Sequence, residues 1–207
     1  MGIINEFSST QAAKLLEKLG LGSFFSYAKP VELIHYLCKL VKTEKGIFLD
    51  FFSGSATTAH AVMQLNAEDG GKRKFIMVQL PEVCAEGTEA AKAGYTTNCY
   101  ICTVRIRRAG EMIKEVVKAA NAQLKLGEEP KQVPDIGFRV LKVDDSNMND
   151  VYYAAGDYTQ DMLTFAESNI KEDRTNLDLL FGCLLDWGLP LSMQYSQETI
   201  DGFTVHT

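Results

Sequence analysis

Between positions 47 and 62 the chain reads IFLDFFSGSATTAHAV. An apolar run ends on Asp50, small residues follow at Ser53, Gly54, Ser55 and Ala56, and Thr57 and Thr58 open a helix-like pattern. Glycine lets backbone approach a ligand closely, and the start of a helix presents N–H groups that have no partner inside the helix. A phosphate-binding loop of the GxxxxGK[ST] type requires a lysine that is missing here, and a dinucleotide turn requires three glycines where this turn has one. Asp50 repels phosphate but suits an ammonium group. The ligand best matched is therefore a nucleoside that carries an amino acid. The same pattern also serves as a plain helix start in many α/β folds.

Other reactive residue types offer less. The five cysteines (38, 84, 99, 102 and 183) are odd in number and scattered, as expected of reduced thiols in a chain that can build a core. Cys99 and Cys102 have the CxxC spacing, yet two further zinc ligands at matching spacing are absent and the pair precedes a basic helix. They read as ordinary cysteines. His35 and His60 sit within helical patterns and His206 lies near the end, none with an obvious partner, so packing or surface is the expected role. Lys72, Arg73 and Lys74 read as solvated surface. Arg105 and Arg108, with Arg107 between them, share a helix face at i, i+3 and are candidates to face a nucleic-acid backbone. Trp187, before Gly188 and Pro190, reads as a packing residue.

The elements that must position the turn follow from apolar spacing. Ser8 and Ser9 can cap a helix carrying Ala12, Leu15, Leu16 and Leu19, stopped by Gly20. Pro30 suits the first turn of a second helix with Leu33, Ile34, Leu37, Leu40 and Val41 on one face. Residues 47–52 and 75–80 read as buried parallel strands, and 57–66 as the helix joining them: a βαβ unit. A long helix is expected over 101–126. The stretch LGEEPKQVPD breaks the composition, which divides the chain into a portion 1–127 and a smaller α+β region 135–207. In the latter, 137–143 reads as a strand, 162–169 and 177–187 as helices, and Asp201-Gly202 as a hairpin turn. The second hairpin strand stops at the C-terminus, so a truncated end rather than a natural domain end is expected.

Composition bounds the possibilities further. With 207 residues, 46% hydrophobic and 23% charged, the chain has enough apolar surface for one substantial core, with or without a small appended domain. No run approaches a membrane span, and the N-terminus lacks a signal-peptide pattern, so a cytoplasmic location is expected. A net charge of −6 argues against this chain being the main clamp on DNA.

The segment FLDFFSGSATTAHAVMQLNAEDGGKRKFIMVQLPE resembles the S-adenosylmethionine-binding region of type III restriction-modification adenine-specific DNA methyltransferases. The upstream stretches NEFSSTQAAKLLEKLG and FSYAKPVELIHYLCKLV, and the downstream RIRRAGEMI and GFRVLKVDDSN, resemble neighbouring parts of the same family. The resemblance implies an α/β, Rossmann-like methyltransferase fold, present in part, with a mostly parallel sheet. It implies S-adenosyl-L-methionine as cofactor, with Asp50, Gly54 and the backbone of Phe52, Ser53, Ser55 and Thr57 around the methionine moiety. Ala28, Lys29 and Pro30 would flank it from the preceding helix start, and Gln79 or Glu82 would meet the ribose hydroxyls. The family's catalytic motif, Asp- or Asn-Pro-Pro followed by an aromatic residue, is absent: the prolines stand at 30, 81, 130, 134 and 190, and no two are adjacent.

The chain thus resembles the C-terminal part of a larger enzyme that methylates adenine N6 in duplex DNA, without its base-positioning loop. No catalytic residue and no metal ligand is assigned. DNA would be a partner through the longer protein, together with a second methyltransferase subunit and a restriction subunit. The alternative is a non-catalytic interaction module, in which the region after Asp135 binds such a subunit. A nicotinamide-dependent oxidoreductase is disfavoured by the single glycine.

Overall fold

A computed structural model of the chain describes residues 6–25, 27–125, 127–150, 159 and 169–207. They fall into two units, up to Phe138 and from Arg139. The first is organised around one helix, α3 (Thr57–Asp69), of which Thr57, Ala59, His60, Ala61, Val62, Met63, Leu65 and Asn66 are buried. A helix that is apolar around its whole circumference must be enclosed. α2 (Val31–Leu40) covers one side with Ile34 and Cys38 against Val62 and Leu65. α5 (Asn98–Asn121) covers another, packing Cys102, Ile106, Ala109 and Ile113 with Ala59 and Met63. Full burial of side chains such as Val62, Met63 and Leu65 stabilises by roughly 1.5–3 kcal/mol each.

α3 connects two parallel strands, β1 (Ile47–Asp50) and β2 (Lys74–Met77), paired from Ile47 opposite Lys74 to Asp50 opposite Met77. The βαβ unit read from the sequence is present, with shorter strands. Their expected burial is not. Phe48, Phe75 and Met77 turn toward the helices, but Ile47, Leu49 and Ile76 alternate with them and face outward. Phe51, Val78 and Leu80 extend that second face, and all six side chains are at least 47% exposed. Among the described residues this sheet has helices on one face only.

Local signals explain the remaining boundaries. α1 (Ser9–Lys18) starts with a capping box: Gln11 N donates to Ser8 Oγ, and Ser8 N to Gln11 Oε1. Pro30 is the N-cap of α2, one position before the expected first turn, and Leu37, Leu40 and Val41 stay exposed because α3 meets the Val31, Ile34 and Cys38 side instead. α4 (Glu89–Lys92) is a single capped turn. Thr97 caps α5, which starts at Asn98, three residues before the expected start, and ends at Asn121, whose side chain holds the Lys131 backbone at both N and O. Ile136 and Phe138 then pack on the α5 cluster, which is why the first unit runs past the proline-containing stretch.

The surface assignment of Lys72-Arg73-Lys74 needs correction at its centre. Arg73 is 8% exposed and brackets the α3–β2 connection. Its Nη atoms pair with both carboxylate oxygens of Asp69 at 2.8 Å, its Nε donates to Thr43 O, and its backbone N to Asn66 Oδ1.

In the second unit, α6 (Asn176–Asp186) begins with a Thr175–Asp178 capping box. β3 (Gln197–Ile200) and β4 (Phe203–His206) form the expected hairpin, with positive φ at Asp201 (50°) and Gly202 (86°) as its two-residue turn requires. Two expectations fail. Residues 137–143 form no strand: among the described residues the alternation has no partner strand, and Arg139 instead lies over the Phe181 and Tyr195 rings. Trp187 follows α6 as its C-cap and is 74% exposed rather than packed. The helix expected at 162–169 lies outside the described residues apart from its last position.

Candidate cofactor site

The turn after β1 is held by its own polar atoms. Asp50 Oδ2 accepts from Thr58 Oγ1 at 2.6 Å and Oδ1 from Phe52 N at 3.3 Å, so the carboxylate is fixed across the turn. Ser53 N donates to Val78 O, Ala56 N to Ser53 O, and Gly54 N to Gln79 Oε1 at 2.7 Å, which ties the turn to the end of β2. Gly54 has φ +49°, and a Cβ there would meet Phe52 O at 3.9 Å, an ordinary contact, so its requirement is conformational. Ala56, the N-cap of α3, is also left-handed (φ +58°), a conformation that costs a non-glycine residue roughly 1–2 kcal/mol. It supplies no side-chain cap, so the first-turn N–H groups of α3 lack the acceptor that a serine or aspartate would provide.

Two other segments meet this turn. Thr57 Oγ1 lies 3.4 Å from Lys29 O, linking it to the segment that leads into α2. Beyond that contact, Ala28, Lys29 and Pro30 border a groove of about 240 Å³ with Phe25, Tyr27 and Leu33. From α5, Cys102 Sγ contacts Gly54 O at 2.5 Å, and Cys99 Sγ lies 3.4 Å from both Gln79 O and Leu80 O. Burial pushes the Cys102 thiol up to about 12, so it is a neutral packing group.

Of the residues singled out in the sequence, Lys29, Asp50, Phe52, Ser53, Gly54, Thr57 and Gln79 are joined by these hydrogen bonds, and Ser55 by its contact with Thr57 at 3.1 Å. Phe52 projects its ring outward, 79% exposed. Glu82 is directed elsewhere: its Oε2 accepts from Asn98 Nδ2 at the start of α5. The largest departure concerns the arginines. Arg105 is not on the surface; it is 1% exposed, and a phosphate backbone cannot reach it. Its Nη1 donates to Ser55 O, Ser55 Oγ and Thr57 Oγ1 at 2.6–2.8 Å. Arg108 is exposed but turns to the end of α1, donating to Leu19 O and Gly20 O, so the two do not form one basic face. Arg107 lies over the Phe138 ring. The missed signal was register: Arg105 follows Ile101 by four positions and precedes Ala109 by four, on the stripe that α5 buries.

Residues 4–102 match the family described as DNA methylase, N6_N4_Mtase. The matched residues make up just under half of the chain. The matched segment contains α1 to β2, the glycine turn and the first turn of α5. Similarity to two Mod subunits extends over more of the chain. It is 40% identical over 120 residues to the type III restriction-modification enzyme StyLTI Mod subunit of Salmonella typhimurium, covering 58% of this chain and 18% of that protein. It is 35% identical over 122 residues to the EcoPI Mod subunit of Escherichia phage P1, covering 59% and 18% respectively. The type II methyltransferase M.KpnI of Klebsiella pneumoniae is 31% identical over 91 residues, 44% of this chain and 22% of that enzyme. The matched part of the chain therefore spans about a fifth of the length of these relatives. Among the described residues no helix is long and apolar enough to cross a membrane, and no cluster of His, Cys, Asp and Glu forms a metal site.

Proposed function

We propose that the first unit is the cofactor-binding part of a Rossmann-like DNA adenine-N6 methyltransferase of the type III restriction-modification kind, holding S-adenosyl-L-methionine at the glycine turn. The observation that carries this reading is the turn itself: a fixed Asp50 carboxylate opposite the uncapped start of α3, with Gly54 giving close backbone access. The cofactor supplies an activated methyl group. Asp50 would accept from its ammonium, and the backbone of residues 52–57 would enclose the methionine moiety. Gln79 has its Oε1 engaged by Gly54 N and would offer its Nε2 to the ribose, with Glu82 as the nearby acid. Ala28, Lys29 and Pro30 would flank the tail from the segment whose Lys29 O meets Thr57 Oγ1.

Isothermal calorimetry with S-adenosylhomocysteine tests the assignment. The full chain is expected to bind, and Asp50→Ala to weaken binding about 10–100-fold, the loss expected of a hydrogen bond to a charged group. Equal affinities would remove Asp50 from the site. Because no Pro-Pro motif is present to hold a flipped adenine, the chain by itself is expected to transfer no methyl group to DNA. Tritium incorporation above that of an Asp50→Ala control would refute this. In the longer protein, in the cytoplasm, the partners are DNA, a second methyltransferase subunit and a restriction subunit.

A second reading rests on the second unit, which exposes Leu185, Trp187, Ile200 and Phe203 at 51–75%. Under it, residues 139–207 are a subunit-interaction module. Deleting them should then abolish association with a restriction or methyltransferase subunit while leaving the first unit's melting transition in place.

A further inference from the structure

We propose that Arg105 is a positioning residue: a buried cation that fixes the glycine turn, places positive charge behind the start of α3 and so selects for the amino-acid tail of the bound nucleoside. The proposal rests on the cofactor reading given above. Arg105 occupies the apolar stripe of α5 where a leucine or methionine would pack without cost. A guanidinium taken out of water is expensive unless paired, and among the described residues no carboxylate forms an ion pair with it. Its Nε is buried with no partner. All three bonds made by Nη1 go to the turn: to Ser55 O at 2.8 Å, Ser55 Oγ at 2.6 Å and Thr57 Oγ1 at 2.8 Å.

Those bonds have a directional consequence. A hydroxyl that accepts from a guanidinium must send its own proton elsewhere. Thr57 Oγ1 has Lys29 O as an acceptor at 3.4 Å, and Ser55 Oγ and Thr57 Oγ1 are 3.1 Å apart. One cation thereby joins three segments distant in sequence, the approach to α2, the glycine turn and α5, and fixes both turn hydroxyls within the protein, which leaves the backbone N–H groups at the start of α3 to face the ligand. Its positive charge also sits behind the uncapped start of α3, where the helix dipole is positive. Asp50 supplies the opposite charge across the turn. A zwitterionic tail matches that polarity, with its ammonium toward Asp50 and its carboxylate toward the start of α3. Arg105 acts through Ser55 and Thr57 and does not touch the ligand.

The test compares S-adenosylhomocysteine with 5′-deoxy-5′-methylthioadenosine, which lacks the amino-acid tail, by calorimetry on the full chain. Wild type is expected to prefer the tailed nucleoside by about tenfold or more, R105Q to lose that preference while binding the tail-less one within about threefold of wild type, and R105K to restore part of it. An unchanged preference in R105Q, or an equal loss for both nucleosides, would overturn the proposal and leave Arg105 a structural support. Should R105Q not fold, R105M keeps the apolar packing of the stem and carries the same comparison with the same outcomes. Wild type binding neither nucleoside overturns the cofactor reading and this proposal together, whereas wild-type binding with an unmoved R105Q or R105M overturns this proposal alone.

Discussion

Acidification from pH 7 to pH 4 is expected to destabilise the first unit by about 3 kcal/mol through His60 alone, at about 1.4 kcal/mol for each pH unit below the ordinary histidine value. His60 is 1% exposed within α3, and its Nδ1 has no hydrogen-bond partner. Burial, reinforced by the nearby Arg105 charge, lowers its pKa from 6.5 to about 3. The folded chain therefore keeps His60 neutral between pH 6.5 and about 3, while the unfolded chain takes up a proton there. Stability is full above pH 6.5 and falls as the pH drops through that window. Denaturant unfolding at pH 7, 5 and 4 should show the slope in wild type and a slope smaller by about one proton in His60→Gln. The carboxylates of Asp69, held low by the Arg73 side chain, and of Glu68, held low by Lys39 and His35 against its own burial, add acid sensitivity that the variant retains. Identical slopes in the two proteins would show that His60 is protonated in the folded state.

Arg73→Met is expected to cost about 3 kcal/mol, in the range for breaking one side of a buried charged network. The Arg73 side chain is 5% exposed, and its loss removes bonds to Thr43 O, Asn66 Oδ1 and both oxygens of Asp69. Those acceptors hold the α3–β2 connection and with it the register of β2 on β1. Asp69→Asn should cost less, because the Asp69 side chain is 38% exposed and water screens its share of the pair. Lys72→Met, one position away and exposed, should stay within about 0.5 kcal/mol of wild type. Midpoints of urea unfolding for the three variants decide the order, and a neutral Arg73→Met would return this side chain to the solvated surface.

Periodicity and punctuation made most local structure legible. The capped α1, the βαβ unit and the Asp201-Gly202 hairpin each carry their cause in a few adjacent residues. The candidate site was legible as a stretch, because Asp50, Gly54 and Thr57 are close in sequence. Its supports were not, because they come from elsewhere: Gln79 lies 25 positions from Gly54 and Arg105 lies 50 from Ser55. Charge was the misleading cue. Arginines were read as surface at Arg73 and Arg105, yet each is buried by satisfying backbone and side-chain oxygens, which composition cannot reveal. The alternation over 137–143 misled for a related reason, since a strand needs an edge to pair with and α5 takes Ile136 and Phe138 instead.

The helix-free face of β1 and β2 has a practical consequence. Ile47, Leu49, Phe51, Ile76, Val78 and Leu80 place an oily surface beside strand edges that, among the described residues, pair with no third strand. Such surfaces capture environment-sensitive dyes, recruit holdase chaperones and seed precipitation. The yield of this chain from cells, and its shelf life once purified, will therefore follow how that surface is shielded during expression and storage more closely than how firmly α3 is packed.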